Sequence, residues 1–277
     1  MNTKRFVIYF LIIVVLIVYL FISAPPPIQS DQLNSNSISI LDAFKILDHE
    51  NKTIRSIYTN EIVKPGLKGN IQFKESWKEK DIIAGPLPAQ FLRLIARQLE
   101  AEKYPMGLFL GSDYPINTAN KFSDLQLIYY GNLKKTGKPQ FFYIKEIERH
   151  IYMSADIAIS SACIKCHNKH NDTPKSDWQL KEIMEATTWI YPNAQISHEE
   201  LIELVKAFRN SVKHAYTKVL HKLKSSDNTI LIGNSWPAQG HYLPSLEVLM
   251  EKYHQKASHH TLLQVLNINN SHENNES

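Results

Sequence analysis

Cysteine is scarce in this sequence, which has only Cys163 and Cys166 among its 277 residues. This scarcity excludes a framework of several disulfides and confines any thiol chemistry to a stretch of four residues. An excess of one charge is also lacking, because 31 Lys and Arg against 27 Asp and Glu leave a net charge of +4. Dense basic runs interleaved with aromatic residues are missing too, so we do not expect a nucleic-acid partner.

One long hydrophobic run stands near the N-terminus. Residues 6–24, FVIYFLIIVVLIVYLFISA, carry no charge and are about long enough to cross ~30 Å of hydrocarbon. Two basic residues precede the run and none follows before Lys45, which predicts an N-terminus in the cytoplasm. We therefore expect a cytoplasmic stub at 1–5, a single-pass anchor in the inner membrane and a main domain in the periplasm. A cleaved signal peptide is the alternative, but the run is long for one and three prolines follow it.

The remaining sequence mixes helical and strand patterns. Apolar periodicity, capping signals and turn residues predict helices over 40–63, 88–103, 197–224 and 245–266, a short apolar run near 107–111, a strand hairpin within 138–157 and a strand over 187–191. This combination indicates an α+β fold.

The expected domain boundaries follow from composition. A polar, proline-rich linker is predicted over 25–37 and the main domain over 38–191. A C-terminal helical extension is expected over 192–266, and an Asn-rich tail over 267–277 is expected to be disordered.

Both cysteines belong to a C-x-x-C-H pattern, Cys163-Ile164-Lys165-Cys166-His167. In c-type haem attachment, two such thiols add to the vinyl groups and the next imidazole ligates the iron. The pattern predicts one covalent haem c, with thioethers at Cys163 and Cys166 and His167 as the proximal ligand. Zinc bound by these residues and His170, a redox dithiol and a local disulfide are the alternatives.

The sixth iron position has no motif of its own. His49, on the first predicted helix, and Met153, on the strand leading to the cysteines, are the distal candidates. His49 could instead be a solvated side chain between two acidic neighbours, and Met153 could be a packed core residue. His170 falls on the same side as His167, so we expect a supporting or structural role for it. The position could also be open.

The stretch from Cys163 to Trp178, CIKCHNKHNDTPKSDW, extends the motif. It resembles the CxxCHNxHPxSPKxDW signature of the haem-c PAS-like sensor domain family, found in bacterial chemoreceptors, sensor kinases and nucleotide cyclases. Asn171 replaces the usual Pro and Thr173 the usual Ser. The blocks SIYTNEIV, GPLPAQFLRLIARQLE and FLGSDYPINTANKFSDLQ are also similar, so the resemblance covers about 41–191.

The resemblance implies a PAS-like antiparallel sheet flanked by helices, with haem at its edge, in an extracytoplasmic redox or ligand sensor. Some members use a cysteine of the N-terminal helix as distal ligand. This chain has no cysteine outside the attachment motif, so that ligand is not carried over. Because a kinase, cyclase or receptor module is not recognisable here, we expect signalling to need a separate membrane partner.

Two functions fit these features, and neither makes the protein an enzyme. The first is redox or gas sensing through a partner, with a small gas as a possible ligand. The second is electron transfer by a tethered monohaem cytochrome, for which Lys165, Lys169 and Lys175 could form a docking patch for an acidic redox protein. Haem catalysis is a third alternative, but no residue stands out as a positioned acid or base.

Overall fold

The computed structural model describes residues 37–159, 161–224, 230–238 and 242–273, with the isolated positions 13, 14, 16 and 19 nearer the N-terminus. The chain divides into two compact units, residues 1–36 and Ser37–Ser277. In the first unit the four described residues are helical. The second unit contains the sheet and the predicted haem motif.

The predicted membrane anchor requires a correction. Residues 6–24 lie outside the described residues, apart from the four isolated positions. Among the helices that the structure does describe, none combines the length and the apolar character that crossing a membrane requires. A span needs about 20 predominantly apolar residues, whereas the long described helices alternate apolar and charged positions. The prediction of a single-pass inner-membrane protein with a periplasmic main domain is therefore wrong for the helices that the structure describes.

The second unit is an α+β structure, as predicted. Its elements are β1 (Ser37–Ser39), α1 (Ile40–Ile57), α2 (Lys64–Lys68), α3 (Pro88–Leu99), β2 (Gly107–Gly111), α4 (Asp124–Thr136), β3 (Gln140–Ile144), β4 (Arg149–Ile157), α5 (Ser161–Lys169), β5 (Ile183–Tyr191), β6 (Gln195–Ser197), α6 (His198–Lys224), β7 (Ile232–Gly233), β8 (Leu243–Pro244) and α7 (Leu246–Glu273). A π-helical segment, Tyr58–Val63, joins α1 to α2.

The main sheet has four antiparallel strands in the order β2-β5-β4-β3. The predicted hairpin within 138–157 is confirmed as β3 and β4, with Phe142 opposite Ile151. β5 begins at Ile183, earlier than predicted, and pairs with both of its neighbours. β1 and β6 form a separate antiparallel pair that the sequence did not reveal.

Each face of the main sheet is covered by a helix, so the alternation of strand side chains divides the core in two. Tyr152 and Trp189 lie in the larger cluster, where Tyr152 stacks on Phe44 of α1 at 6.1 Å between ring centroids. Ile151 and Met153, pointing the other way, pack in a second cluster with residues of α4. The strand that leads into the haem motif is thus buried on both faces.

The helical path that begins with α1 and continues through the π-helical segment and α2 is longer than the turn signals predict. Ser39 caps α1, with its Oγ accepting the Leu41 N–H at 3.2 Å. The helix predicted over 40–63 does not stop there, because α2 follows directly at Lys64 with Pro65 in its first turn. The helical path ends at Gly69 instead. Helix α4 was not predicted, because only Tyr130 and Leu133 of its residues are buried and its apolar periodicity is weak.

The two C-terminal helices pack on the same core as the sheet. The predicted capping at the start of α6 is confirmed, since the Ser197 Oγ accepts the Glu200 N–H at 3.1 Å. Phe208 of α6 and Tyr253 of α7 lie in the cluster that contains α1. Helix α7 reaches Glu273, so residues 267–273, expected to be disordered, are helical.

Candidate haem-attachment site

The C-x-x-C-H residues lie on helix α5, which is separated from the end of β4 by three residues. At about 100° per residue, Cys163, Cys166 and His167 fall within one arc of about 100° on this helix. Cys163 is half-buried and Cys166 is exposed with a free thiol. His167 is half-buried. The structure therefore brings the three predicted haem residues to one face of one short helix.

Ile164 anchors the helix on its other side. It packs against the buried residues Ala158, Trp178 and Met184. Asn168, one turn further on, makes two hydrogen bonds with the backbone of Trp178: its Nδ2 donates to the carbonyl at 3.0 Å and its Oδ1 accepts the N–H at 2.9 Å. These contacts fold the 163–178 stretch back on itself, which gives Asn168 and Trp178 of the signature a structural role.

Disrupting this clamp gives a first test. In Asn168→Ala both bonds are lost and the part-buried Trp178 backbone is left unsatisfied, at a cost of about 1–3 kcal/mol. We expect amide exchange of Trp178 to accelerate by roughly tenfold to a hundredfold, measured by hydrogen exchange with NMR detection. Asn132→Ala, on an exposed position of α4, is the matched control. Equal exchange in both variants would show that the clamp is not stabilising.

His170 has both ring nitrogens engaged outside the predicted ligand set. Its Nδ1 accepts the Asp172 N–H at 3.1 Å, so Nε2 carries the proton in the neutral ring and faces the Glu75 carboxylate at 3.1 Å. This arrangement ties the loop after α5 to the segment between α2 and α3. It agrees with the supporting role expected for His170 and leaves the residue no lone pair for a metal.

Burial controls the protonation of the motif. Desolvation lowers the pKa of His167, against the opposing charge of Asp156, so the neutral imidazole that ligates metals is favoured. Desolvation raises the pKa of the Cys166 thiol, and the charge of Glu75 adds to this effect. Sequence reasoning singled out neither acidic residue, because Glu75 comes from a segment remote from the motif and Asp156, on β4, forms no recognisable pattern with it.

A charged cluster lies beneath this end of the sheet. Arg55 of α1 donates to Asp156 of β4 at 2.6 Å and to the Thr187 hydroxyl at 3.4 Å. Next to them, burial and the charge of Asp156 raise the pKa of Glu185 to about 7, with Arg55 and Arg93 opposing the shift. The Nε of Arg55 is buried without a hydrogen-bond partner. This end of the sheet therefore holds a mixed cluster, in which Arg55 is paired with Asp156 and lies near Glu185.

Exposed apolar side chains flank α5. Ile157 and Ile159 precede the helix, and Leu180 lies on the neighbouring segment, held by backbone bonds between Ala158 and residues 181 and 182. Their exposed fractions are 42%, 61% and 54%, respectively. An apolar surface beside two thiols and a neutral imidazole fits the face and edge of a haem.

The two distal candidates, His49 and Met153, have contacts with other parts of the fold. The His49 ring stacks on His260 of α7, with centroids 3.7 Å apart, and its Nε2 lies 3.5 Å from the Thr53 hydroxyl. Met153 is fully buried in the cluster under α4. None of the described contacts of either residue involves α5. His260 is itself half-buried.

The lysines near the motif differ in their contacts. Lys165 and Lys169 are exposed. Lys175 pairs with Asp177 at 2.5 Å and lies over the Trp178 ring at 4.6 Å, so its charge is compensated within its own loop. In the part of the chain that the structure describes, no group of three or more His, Cys, Asp or Glu side chains is arranged to hold a metal ion.

Together, a helix-flanked antiparallel sheet and a C-x-x-C-H helix at its end are features of a haem-c-binding PAS-like protein. A sequence model of the Tll0287-like family matches residues 31–192, more than half of the chain. The chain belongs to this family, the haem-c-binding PAS-like family that its motif resembles. Searches of curated proteins and of solved structures gave no match.

Proposed function

We propose that the protein carries one haem c, bonded through thioethers to Cys163 and Cys166, with His167 as the proximal ligand. The observation that carries the proposal is the position of these three residues on one face of α5, in a family that binds haem c. When bound, the haem supplies one-electron redox chemistry and an iron that can take a small gas. The Asn168 clamp orients the helix that presents the two sulfurs and the imidazole.

Our preferred function is redox or gas sensing through a partner protein. Helix α1 supports it, because this helix contacts the charged cluster near His167 at one face and the C-terminal helices at another. Arg55 pairs with Asp156 at the sheet end, whereas Glu50 pairs with Arg209 of α6 at 2.5 Å. A charge change at the haem could thus be transmitted through α1 to the C-terminal helices.

Electron transfer to a redox partner is the second candidate. The exposure of Cys166 favours it, because a haem bonded there would have an edge near the surface. This function requires only a stable haem potential and an accessible edge, not a change in the contacts of α1.

Carbon monoxide separates gas sensing from the functions that need a firmly held sixth ligand. Since His49 is stacked on His260 and Met153 is packed in the core, we expect the sixth position to be open or weakly held. The full-length protein, co-produced with a c-type maturation system and reduced with dithionite, should change its absorption spectrum when carbon monoxide is added. His49→Ala should show the same change as the wild-type protein.

An unmoved spectrum would contradict gas sensing and favour electron transfer or redox sensing with a firm distal ligand. Loss of the carbon-monoxide change in His49→Ala alone would show that α1 shapes the distal side after all. Absence of haem bands in the wild-type protein would overturn the whole proposal and revive zinc or thiol chemistry.

A further inference from the structure

Four cationic side chains form a surface that we name the basic face: Lys78, Arg93, Arg97 and Lys218. They come from three segments. Arg93 and Arg97 are one turn apart on the exposed side of α3, Lys218 lies on α6, and Lys78 lies on the segment between α2 and α3. The packing of α3 against α6 brings these segments together.

The basic face carries uncompensated charge. Within the described ranges, none of its four side chains forms an ion pair, although the chain has acidic residues nearby. Glu75 is directed to His170, and the backbone carbonyl of Glu79 accepts from Lys222. Desolvation lowers the pKa of Lys78, and repulsion by Arg97, Arg93 and Lys218 adds to this effect.

Such an arrangement is unfavourable in isolation. Like charges one helical turn apart destabilise a helix, and neighbouring cations on α3 and α6 repel further. Exposed charges affect one another over roughly 10 Å, so the four groups act as one patch. A bound anionic surface would offset this repulsion.

The basic face borders the candidate haem site. The charge of Arg93 acts on Glu185, which lies opposite Asp156 in the pairing of β4 with β5, the strand pair at the end of the sheet that leads to α5. A partner docked on the basic face would therefore lie near the haem edge. By contrast, Lys175 of the predicted docking patch is already paired with Asp177.

The chemistry of the face favours an acidic protein over nucleic acid. Single-stranded nucleic acid is held largely by stacking of bases on exposed aromatic side chains. The aromatic ring in this face, Trp77, is 6% exposed and already lies under Lys78, so it offers no stacking platform. Four cations without a stacking platform are instead complementary to an acidic patch on another protein. Redox and signalling proteins use such complementary charges to steer their association.

We propose that the basic face is the docking surface for an acidic protein that exchanges electrons with the haem or reads its state. The inference rests on the proposed function and adds the partner's chemistry and the place where it binds. The four cations of the basic face would supply long-range attraction. Arg93 is the one whose charge acts on Glu185 of the charged cluster.

The test uses a fluorescently labelled poly-glutamate peptide as the acidic probe and full-length protein. Arg93→Glu/Arg97→Glu should weaken peptide binding by at least about tenfold at low salt, measured by fluorescence anisotropy. Lys135→Glu/Lys138→Glu changes the net charge equally at exposed positions near the end of α4 and is the matched control. We expect its affinity to stay within about twofold of wild type.

Equal weakening in the two variants, or none in the first, would overturn the proposal. Tighter binding of a single-stranded DNA oligonucleotide of equal charge would overturn the choice of a protein partner. Peptide binding does not require haem, so its outcome is separate from that of the haem assay.

A second measurement links the face to the haem. In haem-loaded protein, one electron passes from ferrous iron to hexacyanoferrate(III), which is reduced to hexacyanoferrate(II). We expect the rate constant to fall in Arg93→Glu/Arg97→Glu and to be nearly unchanged in Lys135→Glu/Lys138→Glu. If both variants react at the wild-type rate, the basic face is not the approach to the haem.

Discussion

Removal of both thiols, in Cys163→Ala/Cys166→Ala, should abolish covalent haem in the purified protein. No other cysteine exists in the chain to form a thioether, so the loss should be complete. Haem retained through a denaturing gel and detected by peroxidase staining is the measurement. Each single variant should keep haem through one thioether, with the reduced absorption maximum shifted because one vinyl group stays unreacted.

His170→Ala is the matched control for this experiment. Its ring nitrogens already contact the Asp172 N–H and Glu75, so we expect the variant to keep the wild-type amount of covalent haem. Haem that survives denaturation in the double cysteine variant would contradict the proposed attachment. A similar loss in His170→Ala would instead show that the loop after α5 must be intact for maturation.

The largest effect on stability should come from Glu50, which is fully buried between α1, α6 and α7. Arg209 donates to it from Nη2 at 2.5 Å and from Nε at 3.2 Å. Thr261 donates at 2.6 Å, and the Tyr253 hydroxyl donates as well. Removing the carboxylate leaves these buried donors without an acceptor and Arg209 without its counter-charge. Glu50→Ala should therefore lower the free energy of unfolding by about 3–5 kcal/mol.

Chemical denaturation followed by circular dichroism measures this loss. Glu203→Ala is the control, because Glu203 pairs with Lys206 on the exposed side of α6 and should contribute little. A small effect in Glu50→Ala, comparable with that of the control, would mean that apolar packing alone holds the C-terminal helices on α1.

The same carboxylate predicts an acid dependence. Burial alone would raise the pKa of Glu50, but hydrogen bonds from Arg209, Thr261 and Tyr253 hold it below the ordinary value of 4.5. Because the folded pKa is the lower one, this stabilisation is present above about pH 4.5 and is lost as the pH falls through the folded value. Glu50→Gln should reduce the loss of stability between neutral pH and acid.

The C-x-x-C-H pattern is recognisable in the sequence because its chemistry is local. Two thiols and an imidazole within five residues predict haem c as the ligand, and the structure places all three on one helix, α5. The hairpin and the capped helix α6 were predictable for the same reason, since strand alternation and the Ser197 cap act over a few residues.

The surroundings of the motif could not be predicted, because they depend on which faces meet. Met153 lies on the strand leading to the cysteines, but both faces of that strand are buried, and alternation alone does not say which one adjoins the haem. Arg55 and Asp156 meet across 101 residues, and Glu75 and His170 across 95. Such pairs leave no periodic signal in the sequence.

The π-helical segment Tyr58–Val63 has a consequence for how this chain can vary. A π-turn holds one residue more than an α-turn, so it is an insertion accommodated within a continuous helix. Deletion of one residue there would restore α-helical geometry and rotate α2 by about 100° relative to α1. Relatives that differ by one residue in this segment can therefore keep the same helix while presenting a different side of α2.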